Sequence, residues 1–142
     1  LALHDRENPL LFTAARVSVE RACRQANISP QEMHFFELYD SYSIYAALSL
    51  EAAGYAPPGE GWRLAQDGSL KLDGALPIAV MGGLKARGNP GGAAGVYQAV
   101  EAVLQLRGQA GANQILGARR GMIQSLGGPA ASAVTHVLEA VE

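Results

Sequence analysis

With 142 residues the chain can build one domain with a real core but is marginal for two. Apolar residues make up 49% and charged residues 17%, and a net charge of −2 leaves no cationic excess to neutralise phosphates, which argues against nucleic acid as a main partner. A single cysteine excludes an internal disulfide framework and fits a reducing cytoplasm, and no apolar run approaches the roughly 18 residues of a membrane span.

The first residue is leucine rather than methionine, so the chain (1–142) is expected to be a single domain cut from a longer protein. From Leu11 to Ala26 the apolar positions Ala15, Val19, Ala22 and Ala26 recur every three or four residues, which predicts an amphipathic helix. Cys23 lies beside that face with no His or Asp nearby in sequence to activate it, so it reads as a small structural side chain. Ser29-Pro30-Gln31-Glu32 predicts a short turn, and His34 to Tyr39 a short buried strand. A tight junction at Asp40 leads into a second helix from Tyr42 to Ala53, stopped by Gly54. Ala56 to Gly61 must be surface loop, and Trp62 to Leu76, with turn signals at Asp67-Gly68 and Asp73-Gly74, a hairpin-like excursion. Pro77 to Met81 reads as a strand entering a glycine-rich loop. The helix from Ala93 to Leu106, whose only charge is Glu101, is expected to be buried nearly all round. Strands at Gly121 to Gln124 and Ser132 to Leu138 flank the Gly127-Gly128-Pro129 turn, and His136 reads as a structural histidine. The order α-β-α-β-α-β-β predicts a layered α/β domain, a mixed sheet with helices packed on it and right-handed crossovers.

The stretch from Met81 to Gly95 carries glycines at 82, 83, 88, 91, 92 and 95 between a strand and a helix. Such a loop can present free helix N–H groups to a carbonyl oxygen or an anion. Gly83 and Gly88 have the spacing of a phosphate-binding P-loop, but Asn89 and Pro90 stand where Lys and Ser/Thr must be, so that reading fails. Gly91-Gly92-x-x-Gly95 is a weak match to a dinucleotide fingerprint, and a loop that merely lets a helix pack tightly on a sheet stays open as well.

The loop resembles the G-H-P loop of the thiolase superfamily in its sterol-carrier, lipid-transfer and archaeal acetyl-CoA acetyltransferase forms, GGLKARGHPxGATG. Glu37-Leu38-Tyr39-Asp40-Ser41-Tyr42 resembles E-L-H-D-[AC]-F, and Gln124-Ser125-Leu126-Gly127-Gly128 resembles the last glycine-rich loop, Q-N-I-G-G or H-N-x-G. The likeness runs from about Leu3 to Leu138, matching only the C-terminal part of a thiolase.

The resemblance implies acyltransferase chemistry that forms or cleaves a carbon–carbon bond beside a coenzyme A thioester, with the CoA thioester as substrate and no tightly bound cofactor or metal. The family's nucleophilic cysteine belongs to the other half. The histidine of the G-H-P loop, which polarises that cysteine and helps form an oxyanion hole, is matched here by Asn89, which can donate a hydrogen bond but cannot take a proton. Tyr39 matches the histidine of the second motif and Ser41 its acid/base cysteine, while Gln124 or Ser125 stands where relatives carry His, Cys or Asn. Gly88, Pro90, Gly91 and Gly127 are the positions expected to lie against the thioester. Ordinary thiolysis by this polypeptide is therefore not expected. Two outcomes are: a site retuned for retro-aldol lyase chemistry through Tyr39, as in thiolase-like proteins that work with OB-fold partners; or a non-catalytic scaffold or acyl-CoA/lipid carrier. A tyrosine serves as acid or base only if its pKa of about 10 is lowered by its surroundings.

The resemblance further implies a fold in which each half is β-α-β-α-β-α-β-β with its first strand in the middle of the sheet. No convincing strand precedes the first helix of this chain, so its sheet is expected to lack its central strand. The domain is then expected to be held to a missing N-terminal half, swapped with a copy of itself in a homo-oligomer, or rearranged.

Overall fold

The computed structural model describes residues 3–141. Helix α1 (Thr13–Ala26) buries Ala15, Val19 and Cys23, one residue per turn on a single stripe, and ends where Asn27 takes the left-handed conformation (φ 56°) and donates its N–H back to the Arg24 carbonyl. A capped turn follows, in which the Ser29 N–H donates to the Glu32 carboxylate at 2.7 Å. Strand β1 (Phe35–Glu37) is fully buried, and helix α2 (Ser43–Ala52) stops at Gly54 (φ 83°). A short helix, α3 (Gly83–Arg87), precedes α4 (Ala94–Leu106), and the chain closes with the hairpin of β2 (Arg120–Gly127) and β3 (Ser132–Glu139).

The sheet is mixed, in the order β1-β2-β3. β1 runs parallel to β2, with Phe35 opposite Gly121 and Glu37 opposite Ile123, and β3 pairs antiparallel with β2 over its whole length. On the outer side of β1, Ile78 forms a single parallel bridge to Phe36. No strand precedes α1 among the described residues, as expected, but β1 and β2 hydrogen-bond directly and the sheet has no hole between them. Gly121 lets the two strands close, because a Cβ there would lie 2.1 Å from Cζ of Phe35.

Alternation along the strands sorts the side chains into two layers. Phe36 and Met122 face α1 and α2 and pack with Val19, Cys23, Leu38 and Leu50; farther along the same side Phe12, Leu48 and Leu126 form a second cluster. Phe35 and Ile123 face α4 and pack with Ala102 and Ile115. Phe35 and Phe36 are wholly buried, each stabilising the fold by about 2–3 kcal/mol. Burial pushes the Cys23 thiol pKa up, with Glu32 adding to the effect, which suits a packing role.

Three elements differ from expectation. The segment 77–81 makes only the Ile78 bridge, because Ala79 turns into positive φ (44°) and Gly82 donates its N–H to the Ala79 carbonyl. The excursion at 62–76 holds together by turns and by bonds from Leu76 and Ile78 to the carbonyls of Ser69 and Leu70, without paired strands. Helix α4 is not buried all round: Val96, Tyr97, Val100 and Val103 are exposed, since only the opposite side rests on the sheet.

Candidate active site

Because β1, β2 and the Ile78 segment run parallel, the chain leaves all three at the same end of the sheet. Loops at that end are the usual place for a site in an open α/β sheet. Tyr39 and Ser41 follow β1, the glycine-rich loop follows Ile78, and Ser125 lies near the end of β2.

Asp40 fastens two of these segments together. Its carboxylate accepts the Leu84 N–H at 2.7 Å and, less closely, the Lys85 N–H at 3.4 Å, so the negative group sits on the first turn of α3. Gly83 is required there: in its positive-φ conformation (56°) a Cβ would fall 2.3 Å from the Asp40 carboxylate. A second tie is Lys85 Nζ to Ser43 Oγ at 3.0 Å.

Beyond α3, Gly88 adopts φ 103°, ψ 154°, a conformation open to glycine. Asn89 is exposed, and its side-chain oxygen accepts the Gly91 N–H at 2.9 Å. That bond occupies the acceptor and leaves the NH₂ group to donate. Gly88, Pro90 and Gly91 form the exposed crest of this turn, and Gly127, half-buried, lies at the hairpin, where Ser132 Oγ is 2.3 Å from the position a Cβ would take.

Ser125 points toward α4, where its Cβ and Oγ lie 3.3 and 3.4 Å from the position a Cβ would take at Gly95. Ser125 therefore stands beside the first turn of α4. Gln124 does not. It faces the opposite side of the sheet, wholly buried, with its amide nitrogen within 3.0 to 3.3 Å of Thr135 Oγ1, the Ala15 carbonyl and Ser18 Oγ. Strand alternation sends 124 and 125 to opposite faces, so Gln124 ties β2 to α1 and is withdrawn from the candidate site. Tyr39 is half-buried against the Phe12 and Leu126 cluster, and Ser41 is half-exposed. No hydrogen bond joins Tyr39, Ser41, Asn89 and Ser125 to one another among the described residues.

Sequence reasoning passed over a group behind these loops. Glu37, 1% exposed at the end of β1, and Glu101, 5% exposed on α4, are buried beside each other, and Glu101 pairs with Arg87, whose Nε lies 2.8 Å from Glu101 Oε1 while its guanidinium stacks 4.7 Å from the Tyr97 ring centre. The Arg87 contact is a close ion pair without an aligned hydrogen bond. Desolvation, reinforced by the charge and hydrogen bonding of Glu101, pushes the Glu37 pKa up to about 8. The signal in the sequence is a charged residue inside each of two otherwise uncharged elements.

Between α4 and the outer part of the sheet runs an apolar groove of about 530 Å³, lined among others by Val96, Val103, Val134, His136, Leu138 and Ser125. His136 is thus on the open face of β3, and is exposed rather than packed as a core histidine. Among the described residues no cluster of three or more His, Cys, Asp or Glu side chains could hold a metal ion, and no helix is long and apolar enough to cross a membrane.

Comparison with known proteins fits this arrangement. The family model described as "Thiolase C-terminal domain-like" matches residues 1–140. An acetyl-CoA acetyltransferase of Methanothermobacter thermautotrophicus is 40% identical over 96% of the chain, and the sterol carrier protein 2 of Oryctolagus cuniculus is 34% identical over 87%. The chain spans 36% and 23% of the lengths of these two proteins. A solved structure described as "Ltp2-ChsH2(DUF35) aldolase" superposes with a TM-score of 0.86 at 22% identity, over 96% of this chain and 34% of the other, a likeness of fold. On the strength of the family match across nearly all of its residues, the chain belongs to the thiolase C-terminal domain-like family.

Proposed function

We propose that this domain supplies one wall of an acyl-CoA site in a thiolase-like protein, with Tyr39, Ser41, Asn89 and Ser125 around the reacting thioester and the backbone of Gly88, Pro90, Gly91 and Gly127 beside it. The observation that supports this most directly is the Asp40 carboxylate on the first turn of α3, which holds the Tyr39 segment against the segment leading to Asn89. In this reading the Asn89 NH₂ donates to a developing enolate or tetrahedral oxygen, but nothing on the turn can take up a proton, so histidine-assisted thiolysis is replaced. The exposed apolar face of α4 and the groove beside it fit docking of the remaining part of a longer polypeptide, which would bring the nucleophile.

A second reading is retro-aldol cleavage with Tyr39 as acid or base. A half-exposed phenol without a hydrogen bond to the described residues is free to engage a substrate hydroxyl, and the fold neighbour described as an aldolase shares this architecture. A non-catalytic carrier is the outcome if neither chemistry appears. Incubation of the full-length protein with acyl-CoA, read by mass spectrometry and CoA release, tests the first reading; absence of both acylation and release removes it. For the second, Tyr39→Phe is expected to abolish lyase turnover with the fold intact, and an unchanged rate would exclude Tyr39.

A further inference from the structure

We propose that Glu37, Glu101 and Arg87 form a positioning cluster that locks the Asn89 turn onto β1 and α4 through one proton shared between the two carboxyl groups. The three groups come from three elements: β1, α4 and the end of α3. Arg87 is two residues before Asn89 and Glu37 two residues before Tyr39, so the cluster lies directly behind both candidate loops.

Charge bookkeeping favours the shared proton. Two ionised glutamates against one guanidinium would leave a net negative charge in a nearly closed space, with the Asp40 carboxylate adding to it. One proton makes the trio neutral. It also answers a local shortage of partners: Glu37 Oε1 and Glu101 Oε2 are both buried and neither has a hydrogen-bond partner. A protonated Glu37 can donate to Glu101, while the other oxygen of Glu101 keeps its contact with Arg87. The charged groups facing Glu37 are Glu101 from α4, Arg87 from α3 and Asp40 from the β1–α2 junction; the pairing strand β2 contributes Ile123 opposite it.

The direction of pH dependence follows. Glu37 holds its proton more tightly folded than unfolded, so this stabilisation is complete below the ordinary glutamate range and is lost as pH rises through about 8. Loss of the proton sets Glu37 and Glu101 against each other in a buried contact; the repulsion drives β1 and α4 apart behind the turn, and the turn should open before the domain does. The cluster acts on the turn whether or not Asn89 meets an acyl-CoA, so failure of the acyl-CoA reading would leave this inference standing.

The test is made on the intact protein by hydrogen exchange and urea unfolding at about pH 6 and about pH 9. Protection of the Ala86, Gly88 and Gly91 amides, corrected for intrinsic exchange, is expected to fall about tenfold or more in wild type. Glu37→Gln, which stays neutral and can still donate, is expected to keep that protection at both pH values and to remove the corresponding slope in stability. Arg87→Met should lose protection in the turn already at the lower pH. Equal pH slopes in wild type and Glu37→Gln would overturn the proposal. If Glu37→Gln does not fold, carboxyl ¹³C titration of wild type decides: a glutamate titrating near about pH 8 supports the shared proton, and every glutamate ionised by about pH 6 overturns it.

Discussion

Replacing Asp40 with alanine removes the acceptor for the Leu84 N–H, a bond of 2.7 Å made in the interior, and the weaker 3.4 Å contact with the Lys85 N–H. A hydrogen bond to an ionised group contributes about 1.5–3 kcal/mol, and the buried Leu84 N–H would then be left without a partner. The second contact is long enough to contribute little, so the expected loss is about 3 kcal/mol in all. For a chain of 142 residues that corresponds to a fall of about 10 °C in Tm. Asp40→Asn keeps a side-chain oxygen on Leu84 and gives up the charge and its attraction to the first turn of α3, so it should lose only about 1 kcal/mol. Thermal and urea unfolding followed by circular dichroism would measure both. A value for Asp40→Ala within about 0.5 kcal/mol of wild type would refute the reasoning, because it would mean that the two segments are held in place by something other than this carboxylate.

Gly121→Ala should destabilise by about 2–3 kcal/mol, since the new methyl would drive into the Phe35 ring; urea unfolding checks it, and a loss under about 0.5 kcal/mol would show that the strands can separate freely. Gln124→Leu removes the donor shared by Thr135, Ala15 and Ser18 and should cost about 1–2 kcal/mol while leaving acyl-CoA affinity unchanged; a weakened affinity by calorimetry would return Gln124 to the site. Asn89→His restores an ionisable group on the exposed turn, and if the rest of the site is intact it should raise thioester cleavage by the full-length protein about 100-fold; no gain in CoA release would show that the departures at Tyr39 and Ser41 matter more.

The architecture was largely legible from periodicity. Ala15 and Val19 announce α1, although its buried stripe continues through Cys23 rather than Ala22 and Ala26, and the alternation of β3 separates Ala133, Thr135 and Val137 from Val134, His136 and Leu138 as the sheet does. What failed depended on contacts far apart in sequence. Nothing near Gly83-Leu84-Lys85 predicts a helix among so many glycines; a carboxylate 44 positions away supplies the missing partner at its first turn. The strand expected at 77–81 is cut short by positive φ at Ala79, which its isoleucine and valine neighbours do not signal. Gln124 and Ser125 stand as alternatives for one role because they share a motif, yet neighbouring strand residues cannot share a face. Glu37 was visible only as the first letter of a motif, since burial of a carboxyl between β1 and α4 is a tertiary fact.

β3 has one strand neighbour among the described residues, and its other side presents backbone donors and acceptors along eight positions whose only charged side chain is Glu139. Lysines, prolines or a bulge would blunt such a margin, and this segment, Ser-Ala-Val-Thr-His-Val-Leu-Glu, has none of the first two. Expressed by itself, the domain would carry an open zipper, and its tendency to pair chain to chain should rise steeply with concentration. A lysine at Val134 is the smallest change that would make such a preparation tractable.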